Sequence, residues 1–477
     1  MTFRCSLTPA ALAVSACLGL SLPTPGLAQD KPAATPRSEP VSEAARAAWP
    51  EERLKFDGSW EYTHDRRNNF DLDKTRARDR RTDEHEIKLG LGAAASPVLA
   101  WYLQAVGWAE DRHTEGSGRD RNSTLGRGEM WLQWRPSAAS NGFLQVGRLS
   151  WADRRTWWWD EDLDGLRWHH QFGEVAVQTG LAKEWGRAST EWSGIDPAQR
   201  GVLRWFGQVG WSYAPRHSLE AFWLKARDRS GIQTGRLANE DETDPSDFSG
   251  HWLGLRASGE WRGESGQRLN YWADAAAVRG RDRLTTFDED DVGRFTAGDS
   301  ESARVKGHAF DLGGVWSGGS AWRPSLTVAY AKGSGGVSDG QRDDHFRQTG
   351  LQENRQRLGG IKRVRRYGEL LRPELSNLEV MTLGAGVRLT PTSSVELLGH
   401  QYRQATPSTQ WRGARLSADP AGTNADLGRE FDLVYAWRHA EHIELVLSAS
   451  RFLPGAAFSA QEQDPATGLG LGLTLSF

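Results

Sequence analysis

From position 54 onward, apolar and polar residues alternate with a period of two, the mark of strands whose two faces meet different surroundings. The first run sets Leu54, Phe56, Gly58, Trp60 and Tyr62 on one face and Lys55, Asp57, Ser59, Glu61 and Thr63 on the other. The last sets Leu469, Leu471, Leu473, Leu475 and Phe477 against Gly468, Gly470, Gly472, Thr474 and Ser476. Runs of the same kind lie near 84–94, 98–110, 127–136, 142–149, 164–171, 174–185, 202–213 and 217–227. Others lie near 250–261, 267–279, 304–317, 322–333, 378–389, 394–403, 429–438 and 443–453, so the pattern predicts eighteen strands. Their connections alternate in length. Those near 95–97, 137–141, 172–173, 214–216, 262–266, 318–321, 390–393 and 439–442 are short, whereas 66–83, 228–248 and 334–377 are long and charged. A soluble sandwich has no reason to segregate loops in this way. The fold class expected is therefore all-β: a transmembrane outer-membrane barrel of about 18 antiparallel strands, with short periplasmic turns and some loops folded inward.

Lipid demands that every backbone amide be paired internally, which only helices and closed barrels achieve. Mean hydropathy is −0.62 and 25% of residues are charged, so spans of about 20 apolar residues are not expected. The uncharged stretch 89–109 is interrupted by Pro97 and by Gly90, Gly92 and Gly107, and reads as strand, turn, strand. The 23 tryptophans are in excess and suit interfacial girdles, with Trp60, Trp134, Trp205, Trp211, Trp261, Trp316 and Trp437 on apolar faces. A net charge of −3 argues against a nucleic-acid partner.

Residues 1–28 read as a signal peptide, with Arg4 before an apolar core and small residues near Ala28. A lipobox at Cys17 is the competing reading. Cys5 and Cys17 are the two cysteines of the chain, and both would leave with the peptide, which excludes disulfides and thiol chemistry. Residues 29–52 read as a Pro- and Ala-rich periplasmic tether, with a short helix at 43–49, and the barrel is placed at 53–477.

About eighteen strands enclose a lumen too wide for side chains alone to fill. Alternation places Arg127 and Arg167 inward, along with Asp274, Asp311, Glu430 and Asp432. Salt bridging across a polar interior is one reading of these charges; a basic constriction that selects anions is the other. The best source of a constriction is 334–377, where nine basic residues face six acidic ones. A second dense segment runs from Arg148 through Arg154, Arg155, Trp157, Trp158 and Trp159 to Asp160, Asp162, Asp164 and Arg167. Tryptophans beside charges suit sugar stacking, or else a loop packed on the wall. Arg148 shares parity with Leu144 and Val146, so an inward Arg148 requires a bulge near Gly147.

Gly147-Arg148 followed by Asp160-Glu161-Asp162-Leu163-Asp164-Gly165 resembles the alginate export family. So do Arg347-Gln-Thr-Gly-Leu351-Gln352-Glu-Asn354-Arg355, Tyr367-Gly368-Glu369, Pro373-Glu374-Leu375-Ser376-Asn377-Leu378 and Leu383-Gly384-Ala385-Gly386. The resemblance runs from about residue 50 to the end. It implies an outer-membrane barrel that exports an anionic uronate polymer. It also implies Arg148, Arg347, Arg355 and Arg363 as pore-lining residues, faced by Asp160, Asp162 and Asp164. The short turn at 439–442 departs from the extended periplasmic turn of alginate exporters, which puts gating by that turn in doubt.

Asp160-x-Asp162-x-Asp164-Gly165 also matches half of a calcium loop, but its twelfth position is Gln171 and the match fails. Adjacent His169 and His170 face opposite ways and cannot share a metal. Neither H-E-x-x-H nor a phosphate-binding loop occurs, so neither an enzyme, a metal nor a cofactor is expected and export would be passive. The function expected is export of an anionic polysaccharide, alginate-like, through an arginine-lined pore, in contact with outer-membrane lipid and lipopolysaccharide and with a periplasmic export or polymerase complex. A diffusion porin for small anions and, more remotely, a barrel lipase or protease are the alternatives.

Overall fold

A computed structural model describes residues 54–75, 78–238, 243–290, 294–440 and 442–477. The signal peptide, the tether and the helix expected at 43–49 fall outside the described residues. Eighteen antiparallel strands close into a barrel. They are β1 (Lys55–Asn68), β2 (Arg80–Ser96), β3 (Leu99–Thr114), β4 (Gly118–Trp134), β5 (Gly142–Ala152) and β6 (Asp160–Phe172). Next come β7 (Val175–Ala182), β8 (Leu203–Ala214), β9 (His217–Arg227), β10 (Ser246–Arg262), β11 (Arg268–Glu289) and β12 (Phe295–Ser317). The last six are β13 (Ser325–Gly333), β14 (Leu378–Thr390), β15 (Ser393–Gln404), β16 (Asp426–His439), β17 (Ile443–Pro454) and β18 (Ala466–Ser476). Each pairs with the next, and β18 returns to β1 with Trp60 opposite Leu475, so no sheet edge is left to lipid.

The period-two faces settle as their chemistry dictates. Leu89, Leu103, Leu253, Leu255, Leu312, Leu397 and Leu433 stand exposed on the outer face, with Trp134, Trp205, Trp211, Trp261 and Trp316. Trp60 and Trp437 are half-buried. The stretch 89–109 is β2, a turn at 97–98 and β3; among the described residues no helix is long and apolar enough to cross a membrane. Several strands outrun their expected ends. β11 and β12 reach 22 and 23 residues, and their connection shrinks to 290–294. Above the lipid both faces are wet, so alternation fades from the sequence while the backbone ladder continues.

An interruption of the wall between β4 and β7 shapes the lumen. β4 pairs with β5 only from Trp134 opposite Leu144 to Met130 opposite Arg148. Above that point β4 pairs instead with the loop after β7, at Gly126 and Ser189. β6 likewise leaves β7 at Gly165 opposite Ala182, yet β5 and β6 stay paired up to Ala152 and Asp160. The upper β5–β6 hairpin therefore leaves the wall as a unit. Gly147 is the bend: its φ is +134°, a region essentially reserved for glycine, and a Cβ there would sit 2.0 Å from the Met130 carbonyl oxygen. No register shift accompanies it, so the bulge expected near Gly147 is replaced by a glycine bend. Gly147→Val is expected to destabilise the folded barrel by about 1–3 kcal/mol, read as a lower urea midpoint for the protein in lipid vesicles.

Candidate functional site

The bent hairpin carries its tip, 153–159, across the lumen to the inward side chains of β8 to β12. Trp158 stacks on Phe222 with ring centroids 5.1 Å apart, and Trp159 meets Phe206 edge-on at 5.2 Å. Trp157, Trp158 and Trp159 are all buried, so these rings anchor the tip and offer no open face to a sugar. Asp153 caps the turn by accepting from the amides of Arg155, Trp157 and Trp158. Arg155 donates to Asp274 of β11 and, at 3.5 Å, to Asp311 of β12, and its guanidinium lies 4.7 Å above the Trp272 ring. Arg256 of β10 donates to Asp274 at 2.6 Å and to Asp153 at 3.3 Å.

The loop 334–377 folds onto this tip. The Tyr367 hydroxyl donates to Asp311 at 2.9 Å and accepts from the Trp157 indole at 2.8 Å; Arg366 donates to the same carboxylate at 3.0 Å. A loop inside a barrel must satisfy its own amides. Here inward acids of the far wall supply the acceptors. Glu396 accepts from the amide of Gly359 at 2.7 Å, Glu430 from Leu370 at 2.8 Å and Leu371 at 3.2 Å, and Asp432 from Glu369 at 3.2 Å. Lys362 reaches Glu444 of β17.

Between these moorings the loop forms a two-stranded ribbon, Arg355–Arg357 against Arg363–Arg365. Its register sets Arg355 opposite Arg365, Gln356 opposite Val364 and Arg357 opposite Arg363. Alternation then puts all four arginines on one face, while Gln356 and buried Val364 take the other, where Gln356 accepts from Arg155 at 2.6 Å. Like charges directly opposite one another destabilise a ladder. Glu353 meets two of them, Arg365 at 2.8 Å and Arg355 at 3.6 Å. Burial, reinforced by Arg355 and Arg372, pulls the Arg365 pKa down to about 9, which leaves it charged at neutral pH. Arg365 and Arg372 line a cavity of about 200 Å³ with Tyr367, Asn354, Glu353 and Glu374. The basic series extends both ways. Arg357 lies within electrostatic reach of Arg388, itself near Arg268 and Arg323 at the short-turn end. Arg372 acts on Arg415 and Arg67 toward the long-loop end.

The arginines expected to line a pore divide into two groups. Arg155 is one of the buried clamps just described. Arg167 is buried too, donating to Gln145 at 2.6 Å with its guanidinium over Trp151. Arg347 is held by Asp282 and by Asp343 at 2.7 Å. Arg127 departs from its expected inward position. A bulge between Leu103 and Ala105 sets it opposite Ala105, on the outer face, where it pairs with Asp164 at 3.0 Å. Arg148 joins that network through Glu184 at 2.9 Å. Asp160, Asp162 and Asp164 occupy extended strand rather than a cation loop. Arg154 is exposed at the hairpin tip, Arg355 is exposed on the ribbon, and Arg363 is half-buried there, with Arg355 and Arg363 both near enough to Asp160 to act on its charge. Arg357, Arg365 and Arg372 were not singled out by spacing. The signal available was Arg355-x-Arg357 and Arg363-x-Arg365, two period-two pairs separated by Gly359-Gly360.

The closed barrel and its occupied lumen define a channel of the outer-membrane porin type. Solved structures agree on the fold: OprD of Pseudomonas aeruginosa superposes with a TM-score of 0.52 at 11% identity, covering 92% of this chain and 98% of that one. OpdQ of the same species gives 0.53 at 11%, covering 89% and 99%. The family model for alginate export matches residues 52–470, and the chain belongs to that family. It is 30% identical over 353 residues to the alginate production protein AlgE of Pseudomonas aeruginosa, covering 72% of this chain and 70% of that protein. Against the alginate production protein AlgE of Pseudomonas syringae pv. tomato it is 25% identical, covering 64% and 63%. The chain is an outer-membrane transport channel and not an enzyme.

Asp311→Ala leaves Arg155 and Arg366 without their shared partner and is expected to cost about 3–5 kcal/mol. Trypsin should then cut at the ribbon arginines of the folded variant, mapped by mass spectrometry of the fragments, while the wild type stays intact there.

Proposed function

We propose that this chain exports an anionic polysaccharide, an alginate-like polyuronate, and that the four-arginine face of the ribbon is where the polymer's carboxylates pass. The observation that carries this reading is the cross-strand pairing of Arg355 with Arg365 and Arg357 with Arg363. A fold that only needed the loop as a plug gains nothing from opposed guanidiniums. A row of carboxylates moving past them relieves the repulsion. Arg268, Arg323 and Arg388 at the short-turn end would receive the chain, and Arg372, Arg415 and Arg67 would pass it outward. Glu353 and Asp160, close to the same arginines, weaken each contact, and conduction needs binding weak enough to release. Names borne by relatives, alginate production proteins, favour this cargo.

Export is passive in this reading, driven by synthesis behind the chain. The partners are the polymer, a periplasmic export or polymerase complex that delivers it, and the surrounding lipid with lipopolysaccharide. Among the expected site residues, Arg154, Arg355 and Arg363 are assigned to the path, and Arg127, Arg148, Arg155, Arg167 and Arg347 to holding its walls.

In planar bilayers the wild type is expected to favour anions and to be blocked by added polyuronate. In the double variant R355E/R365E selectivity should turn toward cations, and the polymer concentration for half-block should rise by about tenfold or more. A pore that passes small anions and ignores the polymer would be a diffusion porin, and the export reading would fall.

A further inference from the structure

The outer face of β9 to β12 carries a basic patch that the lumen does not use. On β11 the outward residues run Leu269, Tyr271, Ala273, Ala275 and Ala277, then turn basic at Arg279 and Arg281. From Leu269 to Arg279 the strand rises about 34 Å, which at a tilt of about 35–45° spans roughly 24–28 Å and matches the apolar band of an outer-membrane barrel. The basic residues thus begin where lipid headgroups do, on the long-loop side. Neighbouring strands switch at the same level. In register, Arg279 stands opposite Lys306 and Arg281 opposite Arg304 of β12. On the other side Arg279 faces His251 of β10, which faces Lys225 of β9, with Arg227 one step above. Lys225, Arg227, Arg279, Arg281, Arg304 and Lys306 are all exposed.

None of these six forms an ion pair among the described residues, and none of the outward positions on these stretches from Leu219 to Arg227, Ser249 to Trp261, Leu269 to Arg283 and Ser302 to Trp316 is acidic. The opposite side of the barrel is built differently. There Asp83 takes Arg81 at 2.8 Å and Asp111 takes Arg121 at 3.0 Å on the outer face. The level carries single arginines elsewhere, Arg403 beside Glu379 on β14 and Arg429 and Arg451 one per strand. At least two basic residues per strand on three strands, unneutralised in a chain of net charge −3, call for anions from outside the protein.

We infer that this patch binds the phosphate groups of a phosphorylated glycolipid of the outer leaflet, lipopolysaccharide, whose acyl chains lie on the apolar rows from Leu253 and Ala277 downward. The fork of each arginine can take a phosphate through two parallel hydrogen bonds, and an ionised headgroup beside each basic residue adds to lipid attachment. The inference rests on the barrel's place in the outer membrane and is independent of its cargo.

The test uses folded protein in mild detergent and purified lipid A as the probe, with binding followed by native mass spectrometry. Wild type is expected to retain lipid A and to bind its dephosphorylated form far more weakly; the variant R279Q/R281Q/R304Q/K306Q should lose about tenfold or more in affinity for the phosphorylated form. The pairwise variants R279Q/R281Q and R304Q/K306Q give the same reading if the fourfold change hinders assembly. Equal binding by wild type and variant overturns the inference, as does equal retention of dephosphorylated lipid A. Displacement of lipid A by millimolar inorganic phosphate would show a free-anion site and also overturns it. Anion selectivity of the pore is expected to be unchanged in these variants, so failure here and failure of the export reading give different results.

Discussion

One carboxylate, that of Asp311, holds the inside of this barrel together. It stands on β12, faces inward and is fully buried, and four donors from three parts of the chain converge on it: the Trp272 indole from the wall, Arg155 from the hairpin tip, and Arg366 and Tyr367 from the long loop. A buried anion is tolerable only when paired and hydrogen-bonded, and buried arginines are tolerable only on the same terms. Each therefore requires the other. An eighteen-strand lumen left to itself is a wide aqueous hole. Tying two in-folded segments to one wall position replaces that hole with a narrow, defined interior.

The same logic explains where the surplus positive charge comes from. The chain as a whole is nearly balanced, 59 basic residues against 62 acidic. Inside, however, the acids are occupied. Asp274 and Asp153 serve Arg256, Asp282 and Asp343 serve Arg347, and Glu396, Glu430 and Asp432 accept from loop amides that would otherwise be orphaned. An amide takes up a carboxylate's lone pairs without cancelling its charge, so Glu396 still acts on Arg357 of the ribbon. Positive character at the ribbon thus follows from the loop's own surplus, nine basic residues to six acidic, and from how the loop is moored.

That division marks what the sequence can and cannot disclose. Period-two alternation reports the surroundings of each face, so eighteen strands and the outer apolar belt were legible from Phe56 to Phe477. It reports nothing where both faces are wet, which is why the upper reaches of β11 and β12 were missed. It also fails at a one-residue slip: the bulge opposite Leu103 turned Arg127 from the expected lumen to the outer face. The site was legible only as a segment. That 334–377 would fold inward follows from its length and charge. Which of its arginines would be clamps depends on partners such as Asp311, 156 positions from Arg155, and no local pattern carries that information. The tryptophans of 157–159 show the same limit, since a ring beside charges suits a sugar as well as it suits Phe222 until the opposite wall is known.

Arginine thus has three different settings in this molecule, separated by desolvation and by what lies within reach. Arg155 and Arg256 are dry, lie over the aromatic faces of Trp272 and Phe222, and are matched by carboxylates, so their charge holds structure and is not available to a ligand. Arg355 and Arg365 are opposed to one another with Glu353 between them, so a passing anion lowers their energy more than it would lower that of an already neutralised pair. Arg279 and Arg281 sit at the edge of the apolar belt with no acid on their face. In the first setting the fold supplies the counter-charge. In the second the fold supplies too little and in the third it supplies none. The proposed polymer inside and the proposed headgroup outside are what an anion-poor surface requires in a water-filled channel and at a membrane interface respectively.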